Sequence, residues 1–265
     1  MYGFIIKKNF CDGWDNLLSL FVSNIIMLFT AIGLLFLNLW ISGFQNIIFQ
    51  LVVDVVGFMI MSIFLFAYGE VAAKIANFDS VHVVDFFKAI PGVIKDAVLF
   101  GLLTGSIFWI SKIAIYYYVV ISKTMFGYFL GGMIVWIDLC LILAFQWFIP
   151  IRSLMHNNFK KCLKKSFIIL FDNFGFTVVT ALYNLLLIVF SVLLLGFAPS
   201  FAGIVLANTN ALRIRLYKYD YLEEHPELKT RAEQKQIPWD DLIYDDRELL
   251  GPRKFKSFIF PWRDE

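Results

Sequence analysis

Six long apolar stretches, most of them long enough to cross the hydrocarbon core of a bilayer, dictate what this chain can become. They run from Leu17 to Ile41, Ile47 to Gly69, Ala97 to Ile121, Met125 to Ile151, Phe174 to Leu195 and Phe197 to Leu212. About 20 apolar residues in a helix cross a hydrocarbon core of about 30 Å. In lipid every backbone N–H and C=O must find a partner within the protein, so such stretches become helices. The sequence therefore predicts an all-α, polytopic membrane helix bundle with about six transmembrane helices. The last stretch is the shortest and contains Asn208, Thr209 and Asn210, so it is expected to span only partly or to end in an interfacial turn. Pro199 suits the first turn of its helix.

Composition agrees with this. Hydrophobic residues make up 60% of the 265, well above the roughly one half usual for soluble domains. The net charge of +2 conceals an asymmetry: residues 1–217 carry 14 Lys/Arg against 9 Asp/Glu, and residues 218–265 carry 9 against 12. A transmembrane domain over 1–217, arranged as three helical hairpins, and a tail over 218–265 are the expected parts. Nothing in this distribution favours nucleic-acid binding.

Orientation follows from the basic residues. Lys7 and Lys8 precede the first span, Lys74, Lys88 and Lys95 lie in the second connection, Arg152 with Lys160, Lys161, Lys164 and Lys165 in the fourth, and Arg213, Arg215 and Lys218 at the exit. The intervening short turns carry almost none. By the positive-inside rule both termini are expected on the cytoplasmic side of a bacterial inner membrane. Tyr116, Tyr117 and Tyr118 then fall at the outer interface.

The longest polar interruption, Ala67 to Ala97, contains Val81, Val84, Phe87, Ile90 and Ile94 at steps of three or four. This is the pattern of a helix lying in the headgroup region. Asp79 or Ser80 is expected to cap it and Pro91 to end or kink it. IIKKNFCDGWDN and NNFKKCLKKSFIILFDN are similar amphipathic stretches, and one precedes each hairpin. A threefold repeat and independent positive-inside patterning both account for the recurrence.

In the third of these, Lys160, Lys161, Lys164 and Lys165 present four ammonium groups to anionic lipid or to a partner. The tail adds an acidic cluster around Trp239 and a basic-aromatic cluster, Arg253, Lys254, Lys256, Phe258, Phe260 and Trp262. Such aromatic residues fold back on the body, enter the interface or dock a partner.

The sequence has no GxSxG elbow, HExxH or Walker motif, and no cofactor is expected. Cys11, Cys140 and Cys162 share no metal-ligand spacing. Asp54 and Asp138 lie inside predicted spans, where a charge costs about 2.5 to 3.5 kcal/mol. They suit either a proton or cation path or hydrogen bonds to Asn, Gln or Tyr neighbours. Gly101 with Gly105, and Gly127 with Gly131, are small-xxx-small pairs that each call for a close helix neighbour.

DFFKAIPGVIKDAVLFGLL (Asp85 to Leu103), FCDGWDNLLSLFVSN and FAPSFAGIVLANTNALRIRLYK resemble stretches of the YesL family of bacterial membrane proteins, a domain of unknown function. The resemblance covers most of residues 4–218 and none of the tail after Tyr219. It implies a place beside a binding-protein-dependent carbohydrate transport system. The expected function is that of a noncatalytic accessory or assembly protein, with membrane lipids and a membrane transporter as partners. The alternative is a small-solute or ion transporter using Asp54 and Asp138.

Overall fold

A computed structural model describes residues 1–228 and 237–253. Among them the chain is helical throughout, without a strand. The helices are α1 (Tyr2–Asp15), α2 (Leu17–Ser42), α3 (Ile47–Ala76), α4 (Val83–Ile115), α5 (Met125–Phe145), α6 (Phe148–Met155), α7 (Phe159–Asp172), α8 (Phe174–Leu193), α9 (Ser200–Glu224), α10 (Trp239–Leu242) and α11 (Tyr244–Leu250). A π-helical segment, Tyr116–Ile121, extends α4.

Five helices among the described residues are long and apolar enough to cross a membrane: α2, α3, α4 with its extension, α5 continued through α6, and α8. The sixth expected span is not one of them. Its residues open α9, which continues without a break through Arg213, Arg215 and Lys218. The step from basic body to acidic tail at residue 218 thus falls within a helix.

Central to the bundle is α3, packed along α4 and also against α2, α6 and α9. Gly101 and Gly105 make the α3–α4 approach possible. A Cβ at Gly101 would stand 2.4 Å from Met59 Cα, and one at Gly105 3.2 Å from Val55 Cα. Gly127 and Gly131 instead receive the π-helical segment across the α4–α5 turn, at the end of the bundle remote from the basic residues and called the outer end for that reason alone, where added Cβ atoms would meet Tyr118 O and Val119 Cγ2, each at 2.6 Å. Near the basic end Phe66, Phe100 and Phe148 form an aromatic layer, with Phe100 and Phe148 ring centroids 4.7 Å apart.

Two expectations for the Ala67 to Ala97 region are corrected. Pro91 neither ends its helix nor separates an interfacial helix from a span; α4 runs through it. Pro91 sits on the exposed side, where a missing N–H is tolerated, while Phe86, Val93 and Ala97 bury one face on both sides of it. The cap is also not Asp79 or Ser80. Asp85 reaches back to accept the His82 N–H at 3.1 Å, the carboxylate half of a capping box.

Candidate functional site

Charged side chains of seven elements converge at the basic end of the bundle. In α1 the face that packs inward carries Phe4, Ile5, Lys8, Cys11 and Asp12, so helical periodicity drives a cation and an anion into the core. Lys8 is fully buried. Its Nζ stands 3.0 Å from Asp12 Oδ2 and 3.5 Å from the centroid of the Phe78 ring. The ion pair is close but poorly aligned, and Lys8 Nζ has no hydrogen-bond acceptor with good geometry among the described residues. Asn210 of α9 donates to Asp12 Oδ2 at 2.9 Å, and Asn9 donates to the Tyr183 hydroxyl at 3.0 Å. Burial lowers the Lys8 pKa against the pull of Asp12, and raises that of Asp12 against the pull of Lys8.

Arg152 of α6 holds a second cluster together. Its guanidinium reaches Glu70 of α3 at 2.5 Å, and Asp96 at 3.2 Å and the Gly92 carbonyl at 2.9 Å, both in α4. Beside it Lys74 and Asp85 pair at 3.6 Å. Glu70, Lys74, Asp85, Gly92 and Arg152, with Lys88, line a cleft of about 410 Å³. Asp85 lines that cleft, and His82 and His156 do not.

The α7–α8 corner forms a third cluster against α9. Asp172 accepts from Lys218 at 3.1 Å and from the Tyr219 hydroxyl at 2.7 Å, while Asn173 Oδ1 accepts from Arg215 Nε at 2.7 Å. Burial works to raise the Asp172 pKa, but the Tyr219 and Lys218 contacts outweigh it and hold it below the usual carboxylate value.

The segment after Pro238 folds back onto this face. Ile243 is fully buried and Leu250 nearly so, both within the main core. Arg213 grips Asp246 at 2.5 and 3.2 Å and also donates to Asn77 at 2.9 Å. Arg215 lies over the Trp239 ring, 5.6 Å from its centroid, and Arg253 pairs with Asp15 at 2.5 Å. Trp239 and Arg253 therefore serve the chain's own packing. Lys254, Lys256, Phe258, Phe260 and Trp262 lie outside the described residues.

Lys160, Lys161 and Lys164 are solvent-facing or partly so and make no ion pair among the described residues, and Lys165 Nζ lies 3.6 Å from Met155 Sδ. Cys162 on the opposite face of α7 is buried, which pushes its thiol up to about 11. Asp54 and Asp138 have separate partners. Asn38 of α2 donates to Asp54 and Gln50 donates to Asn38 at 3.3 Å; Ser111 of α4 donates to Asp138 at 2.8 Å. Among the described residues no group of three or more His, Cys, Asp or Glu is arranged to hold a metal ion.

Sequence reasoning missed Lys8, Asp12 and Arg152 as organising residues, because it read Lys8 and Arg152 only as markers of orientation. The signal was present for α1, whose i, i+4 spacing puts Lys8 and Asp12 on the apolar face. No family model, curated protein or solved structure matches this chain.

Proposed function

We propose that this chain is a noncatalytic integral membrane protein that acts as an accessory or assembly factor, engaging a membrane partner through its basic face. What carries this reading is the distribution of polar chemistry. Charged clusters and the returning segment build a broad, ordered surface at one end, whereas each carboxylate within the spans is satisfied inside its own hairpin. The lysines of α7, which make no ion pair among the described residues, complete that surface, and anionic headgroups there favour each ammonium by about 1 kcal/mol. The resemblance to the YesL family makes a carbohydrate transport system the partner to seek, with the basic face on the cytoplasmic side of a bacterial inner membrane.

Affinity purification of the full chain from native membranes in mild detergent tests the proposal. The control removes residues 254–265 alone, because truncation before Gly251 would expose Ile243 and Leu250 contacts and unfold the face itself. Stoichiometric recovery of a transport permease supports the reading. Recovery of the chain alone, from both forms, counts against it.

A further inference from the structure

The hairpin formed by α8 and α9 stops far short of the other two. Arg213 in α9 is fixed at Asn77, at the base of α3. From Arg213 back to Ser200, α9 rises at most about 20 Å, whereas α3 rises about 45 Å from Asn77 to Ile47. The α8–α9 turn is left about 25 Å below the outer end of α3. Independent contacts with α2 place it at the same level. A Cβ at Gly196 would meet Leu28 Cδ1 at 3.1 Å, and from Leu28 to Ser42 α2 climbs a further 21 Å or about that.

The surface of α3 records the same limit. The face covered at Ala67, Val71 and Ile75 is bare about two to four turns beyond Ala67, at Ile60, Val56 and Val52. The apolar part of α3, Ile47 to Gly69, is about 34 Å long, which matches one bilayer core. A turn only partway along it lies within hydrocarbon.

The turn is built for that place. Leu193, Leu194 and Leu195 face outward and no charged residue accompanies them. Its backbone is satisfied from within the protein. Asn24, fully buried, donates to Phe197 O at 3.0 Å and Pro199 O at 2.8 Å, and accepts the Ala202 N–H at 2.8 Å. Ser191 Oγ accepts the Ser200 N–H at 2.7 Å, and Gly196 N–H donates to Ser191 O at 2.7 Å. Irregular backbone at membrane depth is tolerated only when protein groups replace water in this way.

We infer that α8 and α9 form a re-entrant hairpin that enters and leaves the membrane on the basic face, so that the chain crosses four times, through α2, α3, α4 and α5. Four crossings leave α1 and the segment after α9 on one side, as their shared contacts require. The α8 helix has the length and apolarity of a span without the reach of one.

Cysteine accessibility in membrane vesicles of both orientations tests this, using a membrane-impermeant maleimide on the full chain carrying Cys140→Ser. Cys11 and Cys162 are fully buried. Phe44→Cys and Met125→Cys report the tips of the long hairpins and Lys160→Cys the basic face. The tips should label from one side and position 160 from the other, while Leu193→Cys and Leu194→Cys lose labelling from both. Nitroxides at 193 and 194 should be open to oxygen and closed to a water-soluble nickel reagent. Labelling of either position from the side of the tips would mean a full crossing and overturn the inference. Labelling from the basic side, or a nitroxide closed to oxygen, would overturn it equally, since the turn would then lie outside lipid.

Discussion

At the basic end Arg152, Arg213 and Lys218 each grip a carboxylate from another element, across sequence separations as long as Glu70 to Arg152. In the outer half the two carboxylates, Asp54 and Asp138, are each held by a neutral side chain of the adjoining helix. The difference teaches which interactions choose the fold. Hairpin neighbours meet because a short turn delivers them, and small residues and single hydrogen bonds then suffice. Distant helices have no such delivery, and apolar surfaces in lipid have no preference for one another over the lipid tails, so at the basic end paired charges select the partner.

Breaking that comparison at its strong end should give the largest effect. Arg152→Met leaves Glu70 and Asp96 together without their guanidinium in a partly buried cluster, where the loss falls between the roughly 0 to 1 kcal/mol of an exposed pair and the about 3 to 5 kcal/mol of a buried one. Thermal unfolding in detergent, followed by tryptophan fluorescence, should show the drop. Arg152→Lys should recover only part of it, because a point-like ammonium cannot serve Glu70, Asp96 and Gly92 O at once.

Steric contacts come next. Gly101→Leu would push a side chain into the α3 backbone, with a cost of about 1 to 3 kcal/mol or more for overpacking. Gly132→Leu is the matched control, because nothing lies within 4 Å of a Cβ there. Helix propensity favours leucine over glycine equally at both positions, so equal changes in the two variants would show that the α3–α4 approach does not decide stability.

A weaker, pH-dependent contribution is expected from Asp172. Its folded pKa is depressed, so its share of stability is present above the unfolded carboxylate value of about 4 and is lost as pH falls through the lower folded value. Asp172→Asn should therefore be less stable than the parent at neutral pH, and the gap should close on acidification below about pH 4. A gap that is constant with pH would assign the effect to packing. With the side chain 47% exposed, solvent screening keeps the difference small.

The bundle was legible in the sequence wherever apolar length alone decided the outcome, as in α2, α3 and α5. Length alone does not set depth: Phe174 to Leu195 forms α8, long and apolar enough to cross, but α9 beside it is tethered by the Arg213–Asn77 contact, which joins residues whose nearness no local pattern announces. The reading of Pro91 failed because helix breaking is a local tendency, and burial of Phe86, Val93 and Ala97 on one face overrides it. The Asn38–Asp54 pairing was accessible in advance, since both lie at matching depths of one hairpin. Ser111 was not among the expected partners of Asp138, because a hydroxyl on an apolar helix more often bonds back to its own turn.

The smallest effect should come from the outer carboxylates. Asp54→Asn keeps a hydrogen-bonding group beside Asn38, and Asp138→Asn keeps one beside Ser111. Interhelical hydrogen bonds in membranes average only about 0.6 kcal/mol. The double variant should therefore unfold close to the parent and, if the chain acts as an accessory protein, recover the same partner. A path for protons or cations would behave otherwise, because an amide cannot exchange a proton or carry the negative charge that attracts a cation. Liposome flux that is present in the parent and abolished in a stably folded double variant would move function from the basic face to the outer half. It would make the weakly held region, rather than the charged one, the working part of the molecule.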